Sequence, residues 1–242
     1  MTNTTFLMIH GAPGNGVLFE PLIAGAPAGA HAMAWDAPDH GTSADAPDAT
    51  PESHRAALIE HVRGIEGPVV LVGHSYGGWL ASHVAGAGLP QVVGLAVLGG
   101  FASLPEPIAA ILRQTADGLE SGALSKEAFI AAGTQSWLHA DPSAEGRTLV
   151  DRCLSSESAG RIARALRRAA SLRGDAEPGR VEVPCVSLHC ELDAGVPVTL
   201  GEHLARRIGA RWELLAGSGH IPWLSHPERV ASVLLDLTRS RA

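Results

Sequence analysis

Pro68-Val69-Val70-Leu71-Val72-Gly73-His74-Ser75-Tyr76-Gly77-Gly78 is the stretch on which the reading of this chain turns. A short apolar run rich in β-branched residues leads into a serine flanked by glycines, and Gly77–Ala87 then reads as a helix. The pattern G-x-S-x-G between a strand and a helix puts the serine on a sharp, strained turn. Glycines are required around it because side chains there would hold helix and strand apart. The serine Oγ then stands above the strand end, and the N–H of Tyr76 points to where charge would develop on a reacting carbonyl oxygen. A glycine-rich turn arising by chance is the bland alternative. The rest of the chain decides between the two.

Outward from this turn, short apolar segments alternate with longer helix-like ones, the signature of an α/β protein with a mostly parallel sheet. Strands are expected at Thr5–Ile9, His31–Trp35, Val69–Val72, Val92–Leu98, Cys185–His189 and Trp212–Leu215. Helices are expected at Pro51–Ile65, Gly77–Ala87, Val198–Ile208 and Pro227–Arg239, the last with Val230, Val233, Leu234 and Leu237 on one face. From Ala102 to Arg180 the period-2 pattern is missing. Ile108, Ile111, Leu112, Thr115 and Leu119 trace a helical face there, and so do Ile162, Leu166 and Ala169. A core domain of residues 1–101 and 181–242, with a helical cap inserted at 102–180, follows.

With 242 residues the chain is long enough for such a core and insertion. Hydrophobic residues at 45% and charged residues at 18% exclude global disorder. A net charge of −7 argues against a nucleic-acid or anionic-membrane partner. Lys126 is the only lysine, a bias that points to coding composition rather than function. The apolar run Phe6–Ile9 is short and lacks a cationic segment before it, so no secretory signal is expected, and no stretch is long enough to span a bilayer. Cys185 and Cys190 would sit about 16 Å apart on opposite faces of one strand and cannot pair. With Cys153 they suggest a free-thiol, cytoplasmic protein.

Four segments together resemble the α/β-hydrolase family over nearly the whole chain. His10-Gly11-Ala12-Pro13-Gly14 is similar to the family's oxyanion loop, and this implies the N–H of Ala12 as a second donor beside that of Tyr76. Asp36-Ala37-Pro38-Asp39-His40-Gly41-Thr42-Ser43 resembles the D-x-P-G-x-G-x-S turn, with Asp39 where glycine is usual. His189-Cys190-Glu191-Leu192-Asp193-Ala194-Gly195-Val196-Pro197 resembles the segment that supplies the acid, with Cys190 in place of glycine. Gly217-Ser218-Gly219-His220 resembles the segment that supplies the histidine. The order Ser75, Asp193, His220 is the family's order. The resemblance implies an α/β-hydrolase fold whose sheet lacks the usual N-terminal hairpin, leaving six strands with Thr5–Ile9 and Val69–Val72 at the centre.

Elementary chemistry reaches the same three residues. A serine hydroxyl is a weak nucleophile and needs a base, and the base needs a partner that fixes its tautomer. Ser75, Asp193 and His220 each follow a strand candidate, so all three belong at one edge of the sheet. Glu191 is a second acid only two residues from Asp193, but Asp193 lies further past the strand end.

The other histidines read as structural: His74 beside the serine, His10 opening the oxyanion loop, His226 before Pro227, and His189 among those without a partner pattern. His189, Cys190, Glu191 and Asp193 lack the spacing of a zinc site, so neither metal nor cofactor is expected. Arg161, Arg164, Arg167, Arg168 and Arg173 suit a solvated helix face better than an anion site. Phe101, Trp137 and Trp223 are candidate walls of a substrate pocket, although core packing explains them almost as well. Ser75 excludes a dehalogenase, which carries aspartate there, and Trp79 stands where the menaquinone-pathway synthase has arginine. The resemblance is thus to small bacterial carboxylesterases acting on an ester or thioester of a small acyl substrate. Non-hydrolytic use of the same residues (C–C cleavage, elimination, cyclisation) and a ligand-binding pseudoenzyme are the alternatives.

Overall fold

The computed structural model describes residues 4–27, 29–139 and 143–239. Six strands form one sheet: β1 Thr5–Ile9, β2 His31–Trp35, β3 Val69–His74, β4 Val92–Leu98, β5 Cys185–Cys190 and β6 Arg211–Leu215. Their order is β2-β1-β3-β4-β5-β6 and every neighbouring pair is parallel. All six expected strands are present. The middle pair, however, is β3 and β4, and β1 has only β2 outside it. The expectation that β1 shares the centre fails because two strands, β5 and β6, lie beyond β4. β1 is still fully buried, because both of its faces are covered.

Parallel strands need crossovers, and these are helical. In chain order they are α1 Glu20–Ala24, α2 Pro51–Arg63, α3 Tyr76–Ala85, α4 Glu106–Ser121, α5 Lys126–Leu138, α6 Ala144–Ser155, α7 Ala159–Ala170, α8 Val198–Ile208, α9 Pro222–Ser225 and α10 Pro227–Arg239. The strict alternation of side chains across the sheet separates two apolar cores. Leu7, Ile9, Leu71 and Val97 pack with Leu58 of α2, Leu80 of α3 and Leu204 of α8. Phe6, Met8, Val70 and Leu98 pack with Val150 of α6 and Val230, Val233 and Leu234 of α10. Covering both faces is why β3 and β4 read as unbroken apolar runs.

The chain leaves β1 in one direction to form β2 and returns on the other side to form β3. The loops after β1 and β3 therefore meet at a topological switch point, where open α/β sheets place their ligands. Between β4 and β5 lie α4 to α7, and no strand occurs among the described residues of that interval. Ala116 and Leu119 of α4 bury against Ile162, Ala163 and Leu166 of α7. All three cysteines are free. No helix among the described residues is long and apolar enough to cross a membrane.

Candidate active site

Ser75 stands where β3 ends and α3 begins, with φ +52 and ψ −119. That backbone is costly for a residue with a Cβ, and it persists because the surroundings dictate it. A Cβ on Gly73 would come within 2.3 Å of the Gly77 carbonyl oxygen, and one on Gly77 within 2.1 Å of the Ile9 carbonyl oxygen. Glycine at both positions lets α3 start tight against β1 and β3. The Ser75 N–H donates to the Leu98 carbonyl at 3.0 Å, fixing the turn to β4. Ser75 is buried but lines a cavity of about 430 Å³ together with Ala12, Tyr76 and His220.

The loop after β1 is held by histidines. The Ala37 N–H donates to His10 Nε2 at 3.0 Å, so the proton of that ring sits on Nδ1, which donates to the Gly11 carbonyl at 2.9 Å. His40 Nδ1 donates to the Gly14 carbonyl at 3.1 Å. Ala12 is thereby set beside Ser75, and a Cβ on Gly11 would lie only 2.8 Å from the Cβ of Ser75. Tyr76 opens α3, so its N–H has no acceptor within the helix. Both residues expected to bind an oxyanion thus border the cavity.

His220 lies between β6 and α9, and its Nδ1 is 2.7 Å from Asp193 Oδ2. The other oxygen of Asp193, Oδ1, accepts the N–H groups of Gly195 at 2.8 Å and Val196 at 2.7 Å. Burial alone would raise the Asp193 pKa, but the interaction with His220 and the N–H of Val196 outweigh it, and the carboxyl stays below its ordinary range. An ionised carboxylate only accepts hydrogen bonds. His220 Nδ1 must therefore be the donor, which leaves Nε2 free to take a proton. Glu191 lies elsewhere: it is exposed, and its Oε2 accepts the Gly217 N–H at 2.9 Å.

The backbone of His220 is gripped from two sides. Its N–H donates to the Trp137 carbonyl, at the end of α5, at 2.7 Å. Its carbonyl accepts from His74 Nε2 at 2.9 Å. A Cβ on Gly219 would come within 2.5 Å of the same Trp137 oxygen. Gly219→Ala should therefore displace either α5 or His220. Misplacement by about 1 Å is enough to cost up to ~10²-fold in rate. Steady-state kinetics on a simple ester, run beside a thermal melt, check this. Unchanged kinetics in a folded variant would show that the grip is not needed.

Two supporting residues carried no sequence signal of their role. His189 Nε2 donates to the Val196 carbonyl at 2.8 Å and lies 3.7 Å from Asp193 Oδ2, bracing the acid's loop. It is accommodated by Gly201, where a Cβ would meet its ring at 2.1 Å. The residues that superficially resemble metal ligands diverge: His189 turns to Val196, Glu191 to Gly217 and Asp193 to His220.

Asp39 explains two departures at once. It has φ +67, which is why glycine is usual at its place, and its carboxylate is fully buried. Arg164 donates to it twice at 2.7 Å, and Arg168 also reaches it. Burial pushes the Asp39 carboxyl up, but these two guanidinium groups outweigh that and hold it far below its ordinary value. The arginine row is thus no simple solvated face. Arg161, Arg164 and Arg168 fasten α7 to the loop after β2, while Arg167 pairs with Asp117 and Glu120, and Arg173 with Glu106. Of the three aromatic wall candidates, Phe101 and Trp137 line the cavity. Trp223 does not. It stacks on Phe19, stands edge-on to His74 and donates its indole N–H to the Leu18 carbonyl at 3.0 Å, so it is a core residue.

The buried histidines give the fold a pH dependence. Burial pushes the pKa of His54 down to about 4 and that of His74 to about 3, and it lowers His10 and His40 as well. In the unfolded chain each returns to about 6.5. The folded values are depressed, so the stabilisation is complete above about pH 6.5 and is lost as pH falls toward 4. At pH 5 His54 and His74 each cost roughly 2 kcal/mol relative to neutral pH. Urea titrations at pH 7, 6 and 5 should show stability falling steadily, with a shallower fall in His54→Gln. A pH-independent midpoint over that range would contradict this.

The model of the Alpha/beta hydrolase family matches residues 6–233. The pimeloyl-[acyl-carrier protein] methyl ester esterase of Neisseria meningitidis serogroup B (strain ATCC BAA-335 / MC58) is 31% identical over 242 residues, covering 95% of this chain and 90% of that protein. The enzyme of the same name from Xanthomonas oryzae pv. oryzae (strain MAFF 311018) is 28% identical over 254 residues, covering 94% and 92%. Among solved structures, the enol-lactonase from Burkholderia xenovorans LB400 superposes with a TM-score of 0.85 at 16% identity, covering 99% of this chain and 92% of that one. MenH from S. aureus gives 0.84 at 18% identity, covering 99% and 95%. At such identities the structural likeness speaks for the fold. With the family model and the Neisseria relative each spanning nearly its whole length, the chain belongs to the alpha/beta hydrolase family.

Proposed function

We propose that this protein hydrolyses a carboxylic ester through an acyl-enzyme on Ser75. The observation that carries the reading is the 2.7 Å contact of His220 Nδ1 with a buried Asp193, with the ring of His220 bordering the same cavity as Ser75. His220 Nε2 takes the proton of Ser75 Oγ as that oxygen attacks the ester carbonyl, and Asp193 stabilises the imidazolium that results. The N–H groups of Ala12 and Tyr76 receive the oxyanion. His220 then protonates the departing alkoxide, and water, activated by the same nitrogen, releases the acid and restores Ser75.

The segment 102–180 acts as a cap in this reading, since α4, α5 and α7 supply most of the cavity's walls. Those walls are apolar, with Leu104, Ile108, Leu112, Phe129 and Leu166 among them, and suit the acyl chain of the substrate. The Neisseria and Xanthomonas relatives support an acyl methyl ester as the substrate to try first. A panel of methyl and p-nitrophenyl esters of graded chain length, with matched thioesters and amides, tests the proposal. Esters should be turned over well above the rate of a Ser75→Ala control. Turnover of none of the esters, or equal turnover by the control, would overturn it.

A further inference from the structure

We infer that the cavity accepts only an uncharged acyl chain, so that a dicarboxylic diester is cleaved once and released as its half-ester. The inference rests on the ester-hydrolase reading above and adds the class of acyl group that the site admits. Among the described residues lining the cavity there is no Lys, Arg, Asp or Glu. Apart from Ser75 and His220, the polar side chains are those of Tyr76, Thr115, Ser136 and Trp137. The Tyr76 hydroxyl is paired with His54 Nδ1 at 3.2 Å, and that of Thr115 donates to the Ile111 carbonyl at 2.9 Å. Among the described lining residues, the Ser136 hydroxyl and the Trp137 indole N–H are left to meet a second anion, and two neutral donors do not replace the hydration of a carboxylate.

Five arginines of the segment 102–180 are engaged elsewhere. Arg164 and Arg168 are turned away onto Asp39, Arg167 onto Asp117 and Glu120, and Arg113 and Arg173 onto Glu106. The carboxylate of Asp193, in contact with His220, is negative and opposes another anion. An ester that holds a chain-terminal carboxylate within this cavity buries that charge without a cationic partner, a penalty large enough to suppress binding and turnover by ~10²-fold or more.

For a diester the balance is simple. Water supplies the oxygen of the new carboxyl group, the carbonyl–alkoxy bond breaks, and the alcohol leaves with the proton delivered by His220. The product half-ester carries one negative charge and is no longer a substrate for the same cavity. Ile111, on α4, is the wall residue through which this property is most open to change, because it lines the cavity and is also 61% exposed.

Dimethyl adipate, monomethyl adipate and methyl hexanoate, assayed at pH 8 with NMR detection of each ester, decide the matter. The diester and methyl hexanoate should both be cleaved, with monomethyl adipate accumulating and its own kcat/KM lower by ~10²-fold or more. Ile111→Arg should raise the ratio of half-ester to methyl hexanoate kcat/KM by about tenfold or more, by offering the carboxylate a partner at the wall. Half-ester cleavage within about threefold of methyl hexanoate would overturn the inference while leaving the ester-hydrolase reading intact. An unchanged ratio in a folded Ile111→Arg variant would overturn the assignment of discrimination to this cavity. No turnover of methyl hexanoate or of the diester would bring down the ester-hydrolase reading, and this inference with it.

Discussion

Replacing Ser75 with alanine is expected to lower kcat on a simple ester by roughly 10⁴- to 10⁶-fold. In the proposed mechanism, removal of the hydroxyl takes away the atom that would form the acyl-enzyme and leaves His220 with no proton to accept. What survives is the modest advantage of binding and of the N–H groups of Ala12 and Tyr76. The fold should be nearly unaffected, because alanine has the same Cβ as serine in the φ +52 backbone and the Ser75 N–H bond to Leu98 does not involve the side chain. Kinetics and a melting curve on the same preparation check both statements. A folded variant retaining a tenth or more of the wild-type rate would mean that the reaction does not pass through Ser75.

Asp193→Asn should lower kcat by about 10⁴-fold, and the reason is written in the hydrogen bonds of the acid. Oδ1 of Asp193 accepts two N–H groups, those of Gly195 and Val196. An asparagine must keep its carbonyl oxygen there, which turns its NH₂ toward His220 Nδ1. That nitrogen can then only accept, so the ring proton moves to Nε2 and the base is lost. Glu191→Gln should stay within a few-fold of wild type, because Glu191 is exposed and its contact is the N–H of Gly217, which the glutamine oxygen also receives. Measured kcat values of the two folded variants give the ranking. The reverse order would make Glu191 the acid.

The strands were legible because a sheet covered on both faces demands continuous apolar runs, and each run here is punctuated by glycine, proline or a charged turn. The candidate residues were legible for a related reason: Ser75, Asp193 and His220 each lie in the segment that follows a strand, so the sheet's own geometry gathers them on one edge. The long interval after β4 lacked alternation, and α4 to α7 occupy it. What stayed hidden depends on pairs distant in sequence. The burial of Asp39 follows from arginines 125 and 129 positions away, although its replacement of a glycine together with Arg161, Arg164 and Arg168 at helical spacing was a usable signal. The bracing by His189 needs Gly201, and the grip on His220 needs the end of α5, neither of which a local pattern discloses. Trp223 was a candidate pocket wall because it lies beyond a predicted strand end, but the α9 turn carries it into the core beside Phe19. The outer position of β1 depends on how many strands extend the sheet past β4, which is a property of topology and not of any one segment.

Ser75 is the proposed nucleophile of this site. That role is tested most directly by incubating the folded protein with a fluorophosphonate and mapping the modified peptide by mass spectrometry. A single phosphonate on Ser75 is expected, formed in the wild type and absent from Ser75→Ala. A phosphonate on any other residue, or no adduct in the folded wild-type protein, would contradict it.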